Sequence, residues 1–286
     1  MEELVAILKD LSVRSQQVAR RLSLYQRLLP EPVENAYERE RLLTEIEKGI
    51  AGLPEGEVKR RLIEWLNGER PGVQEAKEGF RFDFGRKLLS GLEGSGLEVR
   101  GQLPFLRVGL FSVRADFSTG RATIFWGPEI ERLKAGVKLE PDTLARLLRN
   151  YQESLMKKAV KEPQEFLTRL YQCYQRICLA RSIPLGERVF LVDLLGELVL
   201  LLQPEGFRIN PTRERFVEYP RVRFSYDLYI LKRSGLRTVA GRKIRLSVAN
   251  FDFTAEKARA LWVPDSDQGE GTYYSYISFV QEEERD

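Results

Sequence analysis

The sequence predicts an α+β protein: an N-terminal antiparallel helical arm, then a mixed helix and antiparallel-sheet core with a β-rich C-terminal part. Three observations support this. Apolar residues repeat at helical spacing near the N-terminus, alternate with polar residues over 111–126, and alternate again after Pro204. With 286 residues, 43% of them hydrophobic and 31% charged, the chain has a globular composition and enough length for a sizeable core.

The first predicted element is a long helix over residues 2–29. Its apolar positions follow alternating spacings of four and three, which is a heptad seam interrupted by Ser15. The seam consists of Leu4, Leu8, Leu11, Val18, Leu22, Tyr25 and Leu29. Prolines at 30 and 32 end this helix, and the short corner predicts an antiparallel second helix over 33–50. A short third helix over 56–66 completes a helical arm, residues 1–66.

A loop is expected over residues 67–79, where glycines and Pro71 lie among polar residues. The next region, residues 80–203, contains a β-hairpin whose strands alternate over 111–117 and 122–126. Three helices follow in this region, and the last, over 185–202, is apolar enough to be central in the core.

The remaining region, residues 204–286, is predicted to be β-rich and to share the core of residues 80–203. Its expected strands cover 221–231, 242–248, 261–263 and 273–280.

Charge is unevenly distributed in this last region. Residues 206–246 hold eleven Lys and Arg against three acids, whereas residues 247–286 hold nine acids against three basic residues. Aromatic residues are interleaved with the basic ones, and arginine forks suit phosphates while aromatic rings stack on bases. The pattern therefore predicts contact with DNA or RNA. The candidate residues are Arg208, Arg213, Arg215, Arg221, Arg223, Arg233, Arg242, Lys243 and Arg245.

Two alternatives for the basic block stay open. The same pattern also fits a sheet whose outer face is basic and whose aromatic residues lie in the core. The acidic segment 265–286 would also either neutralise this face or mimic nucleic acid against it.

The chain has no histidine, which excludes Ser-His-Asp and Cys-His catalysis and histidine metal sites. It has no phosphate-binding glycine motif, and its two cysteines, Cys173 and Cys178, lie on a predicted amphipathic helix without a partner base. The sequence therefore predicts no cofactor, and it predicts that both cysteines have a structural role.

Carboxylates offer one catalytic hypothesis. Asp193 and Glu197 share a helix face, and Asp227 lies in a predicted strand with Lys232 five residues later. Acids on a helix and a strand with a nearby lysine are typical of metal-dependent nucleases, so this is an alternative function.

The favoured function is a non-catalytic accessory or adaptor protein. It would contact nucleic acid through the basic face and dock another protein chain, or a second copy, through its arm. The seam residues Leu4, Leu8, Leu11, Val18, Leu22 and Tyr25 would form that docking surface. The seam also fits packing within the chain against residues 33–66. A third hypothesis is a purely structural subunit of a larger assembly. The sequence has no run long enough to span a bilayer and begins with acidic residues, which predicts a cytoplasmic protein without membrane contact.

Overall fold

The computed structural model describes residues 1–129, 131–254 and 256–281. These residues form helices and two antiparallel sheets, with helices predominating at the N-terminus and strands at the C-terminus. The predicted α+β class is therefore confirmed. No helix in the described part of the chain is long and apolar enough to cross a membrane.

Helices make up the larger share of the described structure. They are α1 (Glu2–Arg27), α2 (Ala36–Ala51), α3 (Glu57–Leu92), α4 (Pro141–Lys158), α5 (Pro163–Ala180), α6 (Leu191–Leu201), α7 (Glu205–Ile209), α8 (Arg221–Ser234) and α9 (Phe251–Thr254), with a 3₁₀ turn at Arg213–Arg215.

The strands are β1 (Val99–Gln102), β2 (Phe105–Val108), β3 (Phe111–Asp116), β4 (Arg121–Trp126), β5 (Glu131–Lys138), β6 (Val189–Phe190), β7 (Thr238–Val239), β8 (Arg242–Val248), β9 (Leu261–Pro264) and β10 (Gly271–Gln281).

Helices α1, α2 and the first half of α3 form the arm around a small apolar core of their own. A buried polar group fastens the three helices together. The Arg39 guanidinium donates to the Tyr25 hydroxyl at 3.0 Å and pairs with Glu69 at 3.3 Å, and Tyr25 itself donates to Glu69 at 2.7 Å. Burial and the bond to Glu69 raise the pKa of Tyr25 to about 12, so it remains a neutral donor.

The loop predicted over residues 67–79 is wrong, because α3 runs through it with Pro71 inside the helix. Gly68, Pro71 and Gly72 lie on its exposed side, whereas Val73, Ala76 and Phe84 continue a buried stripe. Tertiary packing of that stripe outweighs the helix-breaking residues. The second half of α3 packs into the main core, so one continuous helix joins the two apolar clusters.

The first sheet is a meander in the order β1-β2-β3-β4-β5. Its centre is the hairpin predicted from the sequence, with Phe111 opposite Trp126 and Asp116 opposite Arg121. The Asp116 carboxylate accepts bonds from the backbone N–H groups of Ser118 and Thr119, which fixes the turn.

The second sheet, here called the C-terminal sheet, has the order β6-β10-β8-β7, with β9 also paired to β10. Helix α5 covers one face. The Phe279 ring of β10 lies 5.0 Å from the Tyr171 ring and 5.1 Å from the Tyr174 ring, measured between centroids. Ile277, which points the same way as Phe279, is also fully buried.

The strand predicted over residues 221–231 is wrong: these residues belong to α8. Arg221 to Phe224 alternate as in a strand, but residues 224–229 are all buried, as in a helix enclosed on every side. The Ser225 hydroxyl shows why the helix is central. It accepts from the Trp126 indole at 2.9 Å and donates to the Trp262 carbonyl at 2.5 Å, linking the two sheets.

Candidate nucleic-acid interface

The nine predicted basic residues are divided among three places in the fold. Arg208, Arg213 and Arg215 lie on the segment between α6 and α8, three others on α8, and the last three on β8. The sequence block is therefore not one continuous surface, and each group has a different environment.

The arginines of α8 are occupied within the chain. Arg221 pairs with Glu131 at 2.7 Å and donates to the carbonyls of Lys257 and Ala260, each at 2.8 Å. Both members of this ion pair are largely buried. The charge and the donors of Arg221, a predicted phosphate contact, are therefore engaged within the chain.

The other two α8 arginines also have acidic partners. Arg223 lies over the Tyr219 ring at 4.8 Å and 3.7 Å from the Asp227 carboxylate. Arg233 pairs with Asp267 at 3.1 Å, and Lys232 pairs with Asp265. Acids from the C-terminal segment therefore neutralise part of the basic block. The acids of residues 282–286 lie outside the described residues.

The arginines between α6 and α8 remain at the surface without acidic partners among the described residues. Arg208 donates to the Leu201 carbonyl at 2.7 Å and Arg215 to the Gly206 carbonyl at 3.0 Å. A carbonyl orients an arginine but does not cancel its charge, and Arg213 is also exposed. This group therefore keeps its positive charge at the surface.

Strand β8 presents its basic residues on alternate faces. Arg245 lies opposite Ser278 and Lys243 opposite Val280 of β10, whereas Ile244 lies opposite the buried Phe279. Because directly opposed residues point to the same side of a sheet, Lys243 and Arg245 lie on the side away from α5. We call this side of the C-terminal sheet the outer face. Arg242 lies on the other side of the sheet and donates to the Phe279 carbonyl at 3.3 Å.

An aromatic pair lies on the same outer face. Phe190 of β6 lies opposite Tyr276 of β10, and their rings stack with centroids 4.6 Å apart. The Arg188 guanidinium lies 5.7 Å from the centre of the Tyr276 ring. Neither ring belongs to the main core, and both are partly open to solvent.

The outer face carries positive charge that the described residues leave unpaired. Arg188, Lys243 and Arg245 form no ion pair within residues 1–129, 131–254 and 256–281, and Arg188 and Arg245 are exposed. Three cations on the same face as two partly exposed rings form a surface that suits a phosphate backbone with accessible bases.

Arg188, Phe190 and Tyr276 were not predicted as site residues. Residues 185–202 read as one apolar helix, whereas the structure places β6 at Val189–Phe190 before α6 begins. The signal was present as a short alternation, because Val189 is buried while Arg188 and Phe190 point outward.

Three of the four residues of the nuclease hypothesis, Asp193, Asp227 and Lys232, have separate structural partners. Asp227 lies on a helix rather than a strand and is buried, accepting from the Val160 N–H at 2.8 Å and the Tyr219 hydroxyl at 2.6 Å. Asp193 pairs with Arg181 at 2.5 Å on the surface of α6. Burial raises the pKa of the Asp227 carboxyl, against the effect of its hydrogen bonds.

Lys232 pairs with Asp265 and also donates to the Tyr274 hydroxyl at 3.2 Å. Glu197 is half-buried and has no ion pair in the described part of the chain. Within the described residues no group of three or more His, Cys, Asp or Glu side chains could hold a metal ion. The observed geometry therefore offers the nuclease hypothesis no metal site there.

The two cysteines are buried on α5 and are not joined in a disulfide. Burial raises the pKa of Cys173 to about 11, which keeps it a thiol and not a nucleophilic thiolate.

The seam of α1 is divided between buried and exposed residues. Val18 and Tyr25 are buried in the arm core, and Leu11 and Leu22 are half-buried against it. Val18 and Tyr25 are therefore withdrawn from the predicted docking surface, because α2 and α3 of the same chain cover them.

The beginning of α1 extends beyond the rest of the arm. The Arg14 guanidinium donates to the Gly52 carbonyl at the end of α2, at 3.3 Å, and residues 1–10 are all exposed. We call residues 1–11 the arm tip. Leu4 is 61% and Leu8 65% exposed, and Ile7 lies between them on the same side of the helix.

Comparisons with protein-family models, with curated proteins and with solved structures find no match for this chain. Its function is therefore inferred from its own residues and their geometry.

Proposed function

We propose that this chain is a non-catalytic accessory protein that contacts nucleic acid through the outer face of the C-terminal sheet and docks a second protein chain through its arm tip. The observation that supports the first part is the set of cations Arg188, Lys243 and Arg245, unpaired within the described residues and on the same face as the partly exposed rings of Phe190 and Tyr276.

Unpaired surface cations favour a polyanion because its phosphates replace the missing acidic partners and release bound counterions. The internally paired residues of α8 gain much less from a phosphate, since their charge is already compensated. We therefore assign binding to β6, β8 and β10, with Arg208, Arg213 and Arg215 as further surface charge.

Binding to labelled DNA and RNA across a salt series, with Mg²⁺ present, tests this function. We expect affinity to fall steeply with salt and the label to remain uncut. Absence of binding at low salt would contradict the nucleic-acid role and leave the structural-subunit hypothesis. Mg²⁺-dependent cleavage would favour the nuclease instead.

The occupant that we infer for the arm tip is a second copy of the same chain in antiparallel orientation. Leu4, Ile7, Leu8 and Leu11 extend the apolar stripe of the arm core beyond the end of α2, and no described residue of the same chain covers its first three positions. Pairing two such tips about a two-fold axis would bury both stripes against each other.

Charge favours the antiparallel orientation. Glu3 and Arg14 lie on the same flank of the stripe near its two ends, and Arg14 shares its charge with Asp10 of its own chain at 2.8 Å, so the contribution of this pair is small. An antiparallel pair brings Glu3 of each copy towards Arg14 of the other, whereas a parallel pair would juxtapose like charges. The tip is only about 15 Å long, so the contact is smaller than a standard interface and the dimer should be weak.

A further inference from the structure

The residues of the outer face allow a more specific inference about which form of nucleic acid it binds. This inference rests on the proposed function. In a folded protein, aromatic rings of this size usually complete a core. Phe190 and Tyr276 instead stack on each other at 4.6 Å on the side of the sheet opposite α5, outside the main core. Since β6 is an edge strand of the sheet, one flank of the Phe190 ring has no strand beside it among the described residues.

The cations are arranged along a path that begins at these rings. Tyr276 pairs across the sheet with Ser247, and Arg245 and Lys243 follow at two-residue steps along β8. Each step is about 7 Å, and the serines of the first two rows, Ser247 and Ser278, are small. The longer side chains of Arg245 and Lys243 therefore stand above the sheet in a row leading away from the aromatic pair.

Such a face distinguishes between forms of nucleic acid. The bases of a duplex are stacked on each other and hide their ring faces, and a broad sheet does not fit a B-form groove that admits a helix or a two-stranded ribbon. Unpaired bases expose their ring faces, and presenting aromatic rings from a sheet is a general way to bind them.

We propose that the outer face binds single-stranded nucleic acid, with a base stacked on the Phe190–Tyr276 pair and phosphates on Lys243 and Arg245. Arg188 supplies a third cation beside the rings, where its planar guanidinium either contacts a phosphate or extends the stack. The site reads no particular base, because every base has a ring face to stack.

The test compares three labelled ligands by fluorescence anisotropy at low salt: a mixed-sequence single strand, its duplex, and a strand of equal length built from abasic units. The abasic strand keeps the phosphates and removes the bases. The wild-type chain should bind the normal single strand roughly tenfold or more tighter than the abasic strand, and tighter than the duplex.

The variant F190A/Y276A should bind the normal and abasic strands equally, with its affinity for the abasic strand unchanged from wild type. The variant F190Y/Y276F keeps both rings and should retain the preference for bases, which controls for damage to β6 or β10.

The outcomes separate the two proposals. Equal affinity of the wild-type chain for normal and abasic strands, or tighter binding of the duplex, would overturn the single-strand inference while leaving nucleic-acid binding intact. No binding of any of the three ligands would overturn both.

Discussion

At the scale of single residues, buried polar groups in this molecule are held by partners distant in sequence. Asp227 accepts bonds from Tyr219 and from the Val160 backbone, and Ser225 connects Trp126 with Trp262. These contacts explain why an acid and a serine occupy α8, where all other buried residues are apolar or aromatic. Their roles are structural, since each is satisfied within the chain.

Asp227 provides a test of this reading. The variant D227A leaves the Val160 N–H and the Tyr219 hydroxyl without their acceptor, and it leaves the Arg223 guanidinium without its neighbouring carboxylate. We expect a loss of about 3 kcal/mol in the free energy of unfolding, measured by chemical denaturation. D193A, which removes only a surface pair, should cost less than about 1 kcal/mol.

The D227A variant also tests the catalytic alternative. If D227A were as stable as wild type but lost a metal-dependent cleavage activity that the wild type possesses, the structural role would be contradicted and the nuclease hypothesis favoured.

Single residues also show where sequence reasoning stops. The interleaved cations and aromatics directed attention to Lys243 and Arg245, which the structure leaves unpaired among the described residues, and their role as phosphate contacts stays a prediction. The same pattern could not separate them from Arg221, because its partner Glu131 is ninety positions away in sequence. Phe190 and Tyr276 meet only through strand pairing, which the sequence does not specify.

At the scale of elements, helical periodicity predicted α1, α2, α4 and α5 well, since each has an amphipathic stripe. Prediction failed for α8 and for the middle of α3. The middle of helix α8, residues 224–229, is buried on all sides and has no polar face to reveal its period, and α3 contains residues that normally break helices.

Pro71 tests whether α3 is continuous. Proline removes one helix hydrogen bond and strains the preceding turn, and this one lies on the exposed side. The variant P71A should therefore raise the free energy of unfolding by about 1–3 kcal/mol in chemical denaturation. A destabilised P71A protein would indicate that the chain needs a break there, as in the loop expected from sequence.

The arm tip is tested by its exposed stripe. The variant L4D/L8D should abolish the concentration-dependent increase in mass that we expect for wild type in light scattering, because charges would replace the apolar contact. Val13 is 53% exposed but lies on the opposite side of α1, so V13D is the matched control and should still associate.

A wild-type chain that remains monomeric at all accessible concentrations would contradict self-association. Equal loss of association in V13D and L4D/L8D would show that the stripe is not the contact.

At the scale of the whole molecule, α3 joins two apolar clusters: the arm, with its projecting tip, and the main core, which supports both sheets. The main core draws on residues 84–279, so the middle and C-terminal regions contribute to one cluster. Pairing through the tips would give the assembly two outer faces. Two linked faces would bind a long strand more tightly than one, without any new contact.

The most direct test of the account is charge reversal on the outer face. K243E/R245E should lose about tenfold or more of its affinity for single-stranded nucleic acid at low salt and show a shallower salt dependence. The control R20E/K48E makes the same change in net charge at exposed arm positions and should bind as wild type. Unchanged affinity in K243E/R245E, or an equal loss in both variants, would contradict the assignment of binding to this face.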